Sequence, residues 1–203
     1  PPGEAVGPVS LTLAGNQTEG RGRGENAWTP APGALFSSWS VKLARPPQPI
    51  LSPLIGLALY QAIDRTFPGM PVSLKAPNDV YLDRKKLAGI LIENSVTGSD
   101  VFCVVGLGMN VSAKPTDVST ACSLADFVDP TELAQLYPRF LEAWFGELRM
   151  ALRLGQESAL DHTARSALVV ALNRFPLLED AIIEVDHLGQ LRDAKRTRPW
   201  HEL

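Results

Sequence analysis

Hydrophobic and polar residues alternate through Val9-Ser10-Leu11-Thr12-Leu13, a period of two that predicts a strand over residues 9–14. Phe36, Trp39, Val41 and Leu43, interleaved with small and polar residues, predict a second strand over 34–43. Between them, residues 15–33 hold five glycines, two prolines and two arginines with no apolar period. A long loop is expected there, and loops beyond about 12 to 15 residues are usually functional or disordered. Pro46, Pro47 and Pro49 then break the chain. The period lengthens at Ser52-Pro53, a good helix start, and Leu54, Leu57, Ala58 and Ile63 keep one apolar face until Phe67-Pro68-Gly69 stops it.

Four short strands are predicted next, over 72–74, 80–82, 89–93 and 101–105, with Asp83-Arg84-Lys85-Lys86 as a polar turn. The clearest helix follows. Asp129 is its expected N-cap, Pro130 its first position and Glu132 the partner in a capping-box-like pattern, with Gly155 at its end. Its apolar set (Leu133, Leu136, Phe140, Leu141, Trp144, Leu148, Leu152) keeps helical spacing, so these aromatics read as core. Residues 158–173 read as another helix and 182–192 as a hairpin turning at His187-Leu188-Gly189. Strands first, with helices interposed singly or late, predict an α+β fold: a mixed or antiparallel sheet backed by helices on one face. The regular βαβ alternation of a doubly wound sheet is absent.

At 203 residues and 45% hydrophobic content the chain can bury its own core. Nineteen Lys+Arg against 22 Asp+Glu give a net charge of -3, which argues against a protein that coats nucleic acid or an anionic membrane. Basic features must be local. Cys103 and Cys122 have neither metal-ligand spacing nor the density of a disulfide scaffold, so free thiols in a reducing compartment are expected, Cys103 within the core. No stretch approaches the roughly 20 apolar residues that span a bilayer, and no signal-peptide pattern opens the chain. A soluble, cytoplasmic protein is the expectation. The start at Pro1-Pro2-Gly3, without methionine, leads us to expect that the natural N-terminus is missing.

Three segments carry candidate chemistry. In Gln17-Thr18-Glu19-Gly20-Arg21-Gly22-Arg23-Gly24-Glu25-Asn26-Ala27-Trp28, glycines admit a ligand close to the backbone and arginines offer bidentate donors to carboxylate or phosphate. Arginine-glycine alternation alone favours a solvated loop; Trp28 adds an aromatic plane suited to a nucleotide base. Lys75-Ala76-Pro77-Asn78-Asp79-Val80-Tyr81-Leu82, followed by Lys86-Leu87-Ala88-Gly89-Ile90-Leu91-Ile92-Glu93, is either a plain turn between strands or a pair of lysines poised on an activated phosphate. Spacing leaves this open. Val104-Val105-Gly106-Leu107-Gly108-Met109-Asn110 lacks the third glycine and the helix of a dinucleotide fingerprint, although Asn110 could meet an adenine edge. His162, His187 and His201 are too dispersed for a metal cluster, and Ser37, Ser38 and Ser123 lack a nucleophile-elbow context.

In their order along the chain these segments resemble the biotin protein ligases of the biotin/lipoate ligase superfamily, at motif level over roughly Leu11 to Val111. The resemblance implies the catalytic fold of those ligases, similar to class II aminoacyl-tRNA synthetases. It also implies adenylation of biotin by ATP with Mg²⁺, then transfer of biotin to a lysine of a biotin carboxyl carrier domain of a carboxylase. Matched position by position, Lys86, Arg23 and Arg21 would be catalytic. Gln17, Gly20, Arg21, Lys86 and Gly89 would hold biotin, and Arg23, Trp28, Asn110, Lys75 and Asp79 the adenylate. No dedicated metal cluster is implied, only Mg²⁺ near Asp79.

The sequence departs from the pattern at Ala76, where the family has tryptophan, and at Gly24-Glu25-Asn26, often more basic. The family's Ser/Thr-Thr-Asn segment is expected to be missing, and no winged-helix DNA-binding part is expected. Residues 1–173 are expected to form the catalytic domain and 174–203 a reduced SH3-like remnant or hairpin tail. A homodimer is compatible with the resemblance, and neither nucleic acid nor membrane is expected as a partner. Lipoate protein ligase, or a module that binds biotin or a carrier without turnover, are the alternatives.

Overall fold

Alternating burial along the strands sorts the sheet into two faces. In the computed structural model, which describes residues 6–200, the six strands are β1 (Val6–Ala14), β2 (Leu35–Leu43), β3 (Val72–Lys75), β4 (Asp79–Leu82), β5 (Lys85–Thr97) and β6 (Asp100–Met109). They lie in the order β1-β2-β6-β5-β4-β3, every neighbouring pair antiparallel. In β6, Val101, Cys103, Val105, Leu107 and Met109 are buried on one face, while Phe102, Val104, Gly106 and Gly108 are more open on the other.

The buried face meets α1 (Leu51–Thr66) and α2 (Pro130–Leu154), with α3 (His162–Asn173) beside α1 and β3. Trp39 of β2 meets Trp144 of α2 edge-on at 6.4 Å, and Phe140, Trp144 and Leu148 are fully buried. The helical stripe of α2 is therefore core, as its spacing predicts. The α+β expectation holds in its antiparallel form.

Several boundaries move for identifiable reasons. Helix α1 begins at Leu51 rather than Ser52, with Ile50 as a cap that offers no side-chain bond. Ser52 Oγ instead donates to the Pro77 carbonyl (3.3 Å), tying α1 to the 75–79 turn. Asp129 caps α2 by accepting from Thr131 N and Glu132 N, while the reciprocal capping box belongs to Ser123 and Asp126, around the short 3₁₀ turn Leu124–Asp126. Gly155 ends α2 with helical φ -66, not as a left-handed cap. Its lack of a side chain is explained by Leu51 Cδ1, which would lie 2.7 Å from a Cβ there. Helix α3 starts at His162, four residues later than predicted, where Asp161 accepts from Ala164 N (2.7 Å).

Strands β5 and β6 outrun their predicted ends and close a two-residue hairpin, Thr97 opposite Asp100, with Gly98 at φ 62. Backbone pairing continues through polar Asn94 and Ser95, where the apolar pattern gives no signal. After Asn173, β7 (Glu184–Val185), β8 (Leu191–Arg192) and β9 (Thr197–Arg198) form a small antiparallel sheet. Its Val185 and Leu191, with Ile182 and Trp200, join the same hydrophobic cluster as the large sheet. The expected turn holds, with Asp186 N donating to Gln190 O and Gly189 N to Asp186 O. Pro1–Gly3 and His201 lie outside the described residues.

Candidate active site

The open face of the sheet carries a cavity of about 700 Å³ between the 17–28 loop, β2, the 75–79 turn, β5 and β6. Part of its lining is glycine backbone, at Gly89, Gly106 and Gly108. Gly89 and Gly108 face each other across β5 and β6, and the Trp28 indole lies on both. A Cβ at Gly108 would stand 2.8 Å from Trp28 Cε2, and one at Gly89 3.2 Å from Cζ3. Only glycine admits the ring this close.

The loop that delivers Trp28 is not irregular throughout, as its composition led us to expect. Arg21 and Ala27 form an antiparallel bridge; Trp28 N donates to Gly20 O (2.9 Å) and Gly22 N to Asn26 O (2.7 Å). Residues 20–28 are thus a small hairpin. A side chain at Gly20 would collide with the Trp28 carbonyl.

Four cations converge on the cavity: Arg21, Arg23, Lys75 and Lys86. Lys86 Nζ pairs with Asp79 Oδ1 at 2.8 Å and stands 5.7 Å from the Trp28 ring centre. Its main chain is held as well, with Lys86 N donating to Thr120 O and Cys122 N to Lys86 O. Arg21 Nη2 lies 3.3 Å from Glu93 Oε2. Lys75 Nζ is 5.7 Å from the ring centre of Tyr81, whose phenol is kept neutral, burial first and then Asp79 pushing its pKa up. Asn78 fixes the turn: Nδ2 donates to Ile90 O and Ile90 N returns to Asn78 O. The adjoining Ala76-Pro77 peptide is cis.

Gln17, Arg21, Arg23, Trp28, Lys75, Asp79, Lys86 and Gly89 all line this cavity, although they come from three separate segments. Gly20 and Asn110 do not. Gly20 borders a shallower neighbouring hollow. Asn110, 1% exposed, lies beneath the site, where Nδ2 donates to Cys122 O (2.9 Å) and the main chain bonds Leu87 and Leu124. Its side chain ties the end of β6 to the 122–124 segment and does not reach the cavity.

Sequence reasoning gave no role to Glu19, Leu91, Glu93 and Val104, although all four lie in its candidate segments, and weighed Ser37 and Ser38 only as nucleophiles; all six line the cavity. Leu91 and Glu93 could have been read from two-residue spacing after Gly89. Ala76 lines both this cavity and a smaller one beside α3, so the position short of a large side chain is also a shared wall. Arg23, Pro77 and Ile90 likewise border a second cavity of about 410 Å³ that reaches Pro199 and Trp200. Among the described residues no group of three or more His, Cys, Asp or Glu side chains could hold a metal ion, and no helix is long and apolar enough to cross a membrane.

Four cations and an indole plane beside bare glycine backbone, on the open face of an antiparallel sheet, are chemically suited to an anion attached to a ring. Comparison with known proteins makes the class specific. The sequence model of the Biotin/lipoate A/B protein ligase family matches residues 6–110, and the chain belongs to that family. It is 34% identical over 167 residues to the Biotin--[acetyl-CoA-carboxylase] ligase of Mycobacterium tuberculosis, covering 77% of this chain and 60% of that protein. To the human Biotin--protein ligase it is 30% identical over 116 residues, 52% of this chain and 16% of that protein.

The chain thus spans less than two thirds of the length of these relatives. In fold it is similar to the biotin protein ligase of Aquifex aeolicus solved with biotin and ATP, with TM-score 0.62 and 22% identity, over 89% of this chain and 80% of that one. It is similar too to the Leishmania major enzyme solved with biotinyl-5-AMP, with TM-score 0.60 and 21% identity, over 94% and 87%.

Proposed function

We propose that this chain is the catalytic part of an ATP-dependent biotin ligase. In the first step a biotin carboxylate oxygen bonds to the α-phosphorus of ATP and pyrophosphate leaves. In the second, a lysine amine of a biotin carboxyl carrier domain bonds to the acyl carbon, AMP leaves, and the lysine's surplus proton passes to solvent. The observation that carries this reading is the convergence of Arg21, Arg23, Lys75 and Lys86 on one cavity beside Trp28. The first step brings two anions together, and fixed cations stabilise the charge that develops.

Lys86, held between Asp79 and the indole, is assigned the bridge between carboxylate and α-phosphate. Arg21 and Arg23 grip the carboxylate and phosphate; Trp28 presents its plane to the adenine; Gln17 orients biotin, while Gly89, expected to contact biotin, is covered by the indole. Mg²⁺ in nucleotide sites is bound mostly by phosphates with one or two carboxylates. Asp79 would hold it beside Lys86, where it would supply further charge neutralisation on the phosphates.

Biotin-dependent exchange of labelled pyrophosphate into ATP tests the first step, and labelled biotin on a carrier domain the second. Calorimetric titration separates the lipoate alternative, since tight binding of lipoate with none of biotin overturns the assignment.

A further inference from the structure

Strands β3 and β4 pair with Lys75 opposite Asp79 and Ser73 opposite Tyr81. Lys75 and Tyr81 are therefore diagonal neighbours on one face, close enough for a long side chain to meet an aromatic ring. The carboxylate opposite Lys75 is engaged elsewhere, Asp79 Oδ1 lying 2.8 Å from Lys86 Nζ. Among the described residues Lys75 forms no ion pair, and its ammonium stands over the Tyr81 ring, 5.7 Å from the centre. The ring is itself fixed, edge-on to buried Phe175 at 5.0 Å. Lys75 borders two spaces, the active-site cavity and the smaller hollow beside α3 that Glu179 also lines. A point charge on a flexible four-carbon stem can turn to either. Tyr81 is in neither lining.

We propose that Tyr81 is a positioning residue that acts through Lys75, its ring holding the ammonium at the active-site cavity and away from Glu179. With the phenol kept neutral, the attraction is that of a cation for the face of a ring and not for a phenolate. The distinction matters for the anion that follows. A carboxylate in the same place would cancel much of the lysine's charge, whereas a neutral ring orients the ammonium and leaves that charge available to a phosphate. A cation already in place needs little reorganisation when charge develops beside it. The catalytic consequence rests on the ligase reading; the placing of Lys75 does not.

In biotin-dependent pyrophosphate exchange, Tyr81→Leu is expected to lower kcat/KM for ATP about two- to fivefold, the loss of one exposed contact between a cation and a ring. Tyr81→Phe keeps the ring and should stay within roughly twofold of the parent. Lys75→Met should lose more than Tyr81→Leu, and in that background Tyr81→Leu should cost nothing further, because residues that act as a unit are not additive. Losses that multiply in the double variant overturn the proposal, as do equal losses in the Phe and Leu variants or an unchanged kcat/KM in Tyr81→Leu. Ligand-free protein isotope-labelled at lysine Cε gives a second readout by NMR. The Lys75 resonance, identified by its absence from Lys75→Met, should be displaced upfield by the ring in the parent and in Tyr81→Phe, and should rejoin the exposed lysines in Tyr81→Leu. An undisplaced Lys75 resonance in the parent, or one that does not move in Tyr81→Leu, overturns the proposal. If the parent chain shows no exchange at all, the ligase reading fails, while the spectra still decide the role of Tyr81.

Discussion

Lys86 is constrained at both its ends, its ammonium between Asp79 and Trp28 and its peptide groups by the 120–122 segment. Such a fixed charge needs little reorganisation as a transition state forms. Lys86→Ala is therefore expected to lower biotin-dependent pyrophosphate exchange by about a hundredfold or more, the loss typical of removing one preorganised donor. Lys86→Arg should not restore it, because a planar fork cannot replace a point charge there. Normal exchange in either variant would remove Lys86 from the mechanism.

A quite different residue-level expectation concerns the thiols. Burial pushes Cys103 and Cys122 up to about 11 from an ordinary 9.0. At pH 8 both should resist a disulfide reagent until denaturant is added. Because burial favours the neutral thiol, their contribution to stability is complete below pH 9 and is lost as pH rises toward 11. Unfolding midpoints measured from pH 8 to 11 should fall across that window.

Among the elements, α2 illustrates what a sequence states openly. Its cap, its proline at the first position and its apolar period are local and redundant. Asp129→Ala should cost about 0.5–2 kcal/mol by denaturant titration, the usual range for losing an N-cap acceptor. The 20–28 hairpin is the opposite case. Its bridge joins Arg21 to Ala27 through main-chain atoms, so the arginine-glycine pattern that marks it for chemistry says nothing of its shape. The far half of β5 is concealed in the same way, held by β6 although its side chains are polar. Gly155 reads from sequence as a helix stop, but the constraint on it comes from Leu51, 104 residues away in the chain.

At the scale of the molecule, the segment following Asn173 shares one core with the main sheet through Ile182, Val185, Leu191 and Trp200. Leu191→Ala should thus lower the whole protein's stability by about 2–5 kcal/mol in a single cooperative transition; a separate early transition would mark an independent unit. Shared burial of this kind is invisible in sequence, whereas the four cations of the cavity were named from it, since such residues are chemically distinctive. Asn110, like Gly20, fell outside the cavity: a strand-end amide can turn either toward a ligand or under the sheet, and only the position of the Cys122 carbonyl decides.

The glycine floor, finally, limits how the site can be altered. At Gly89 and Gly108 there is no side chain to trim, and a Cβ added to either meets the indole. Altered ligand preference is accessible through the loop from Gln17 to Ala27, and that is where a mutagenesis library should place its diversity.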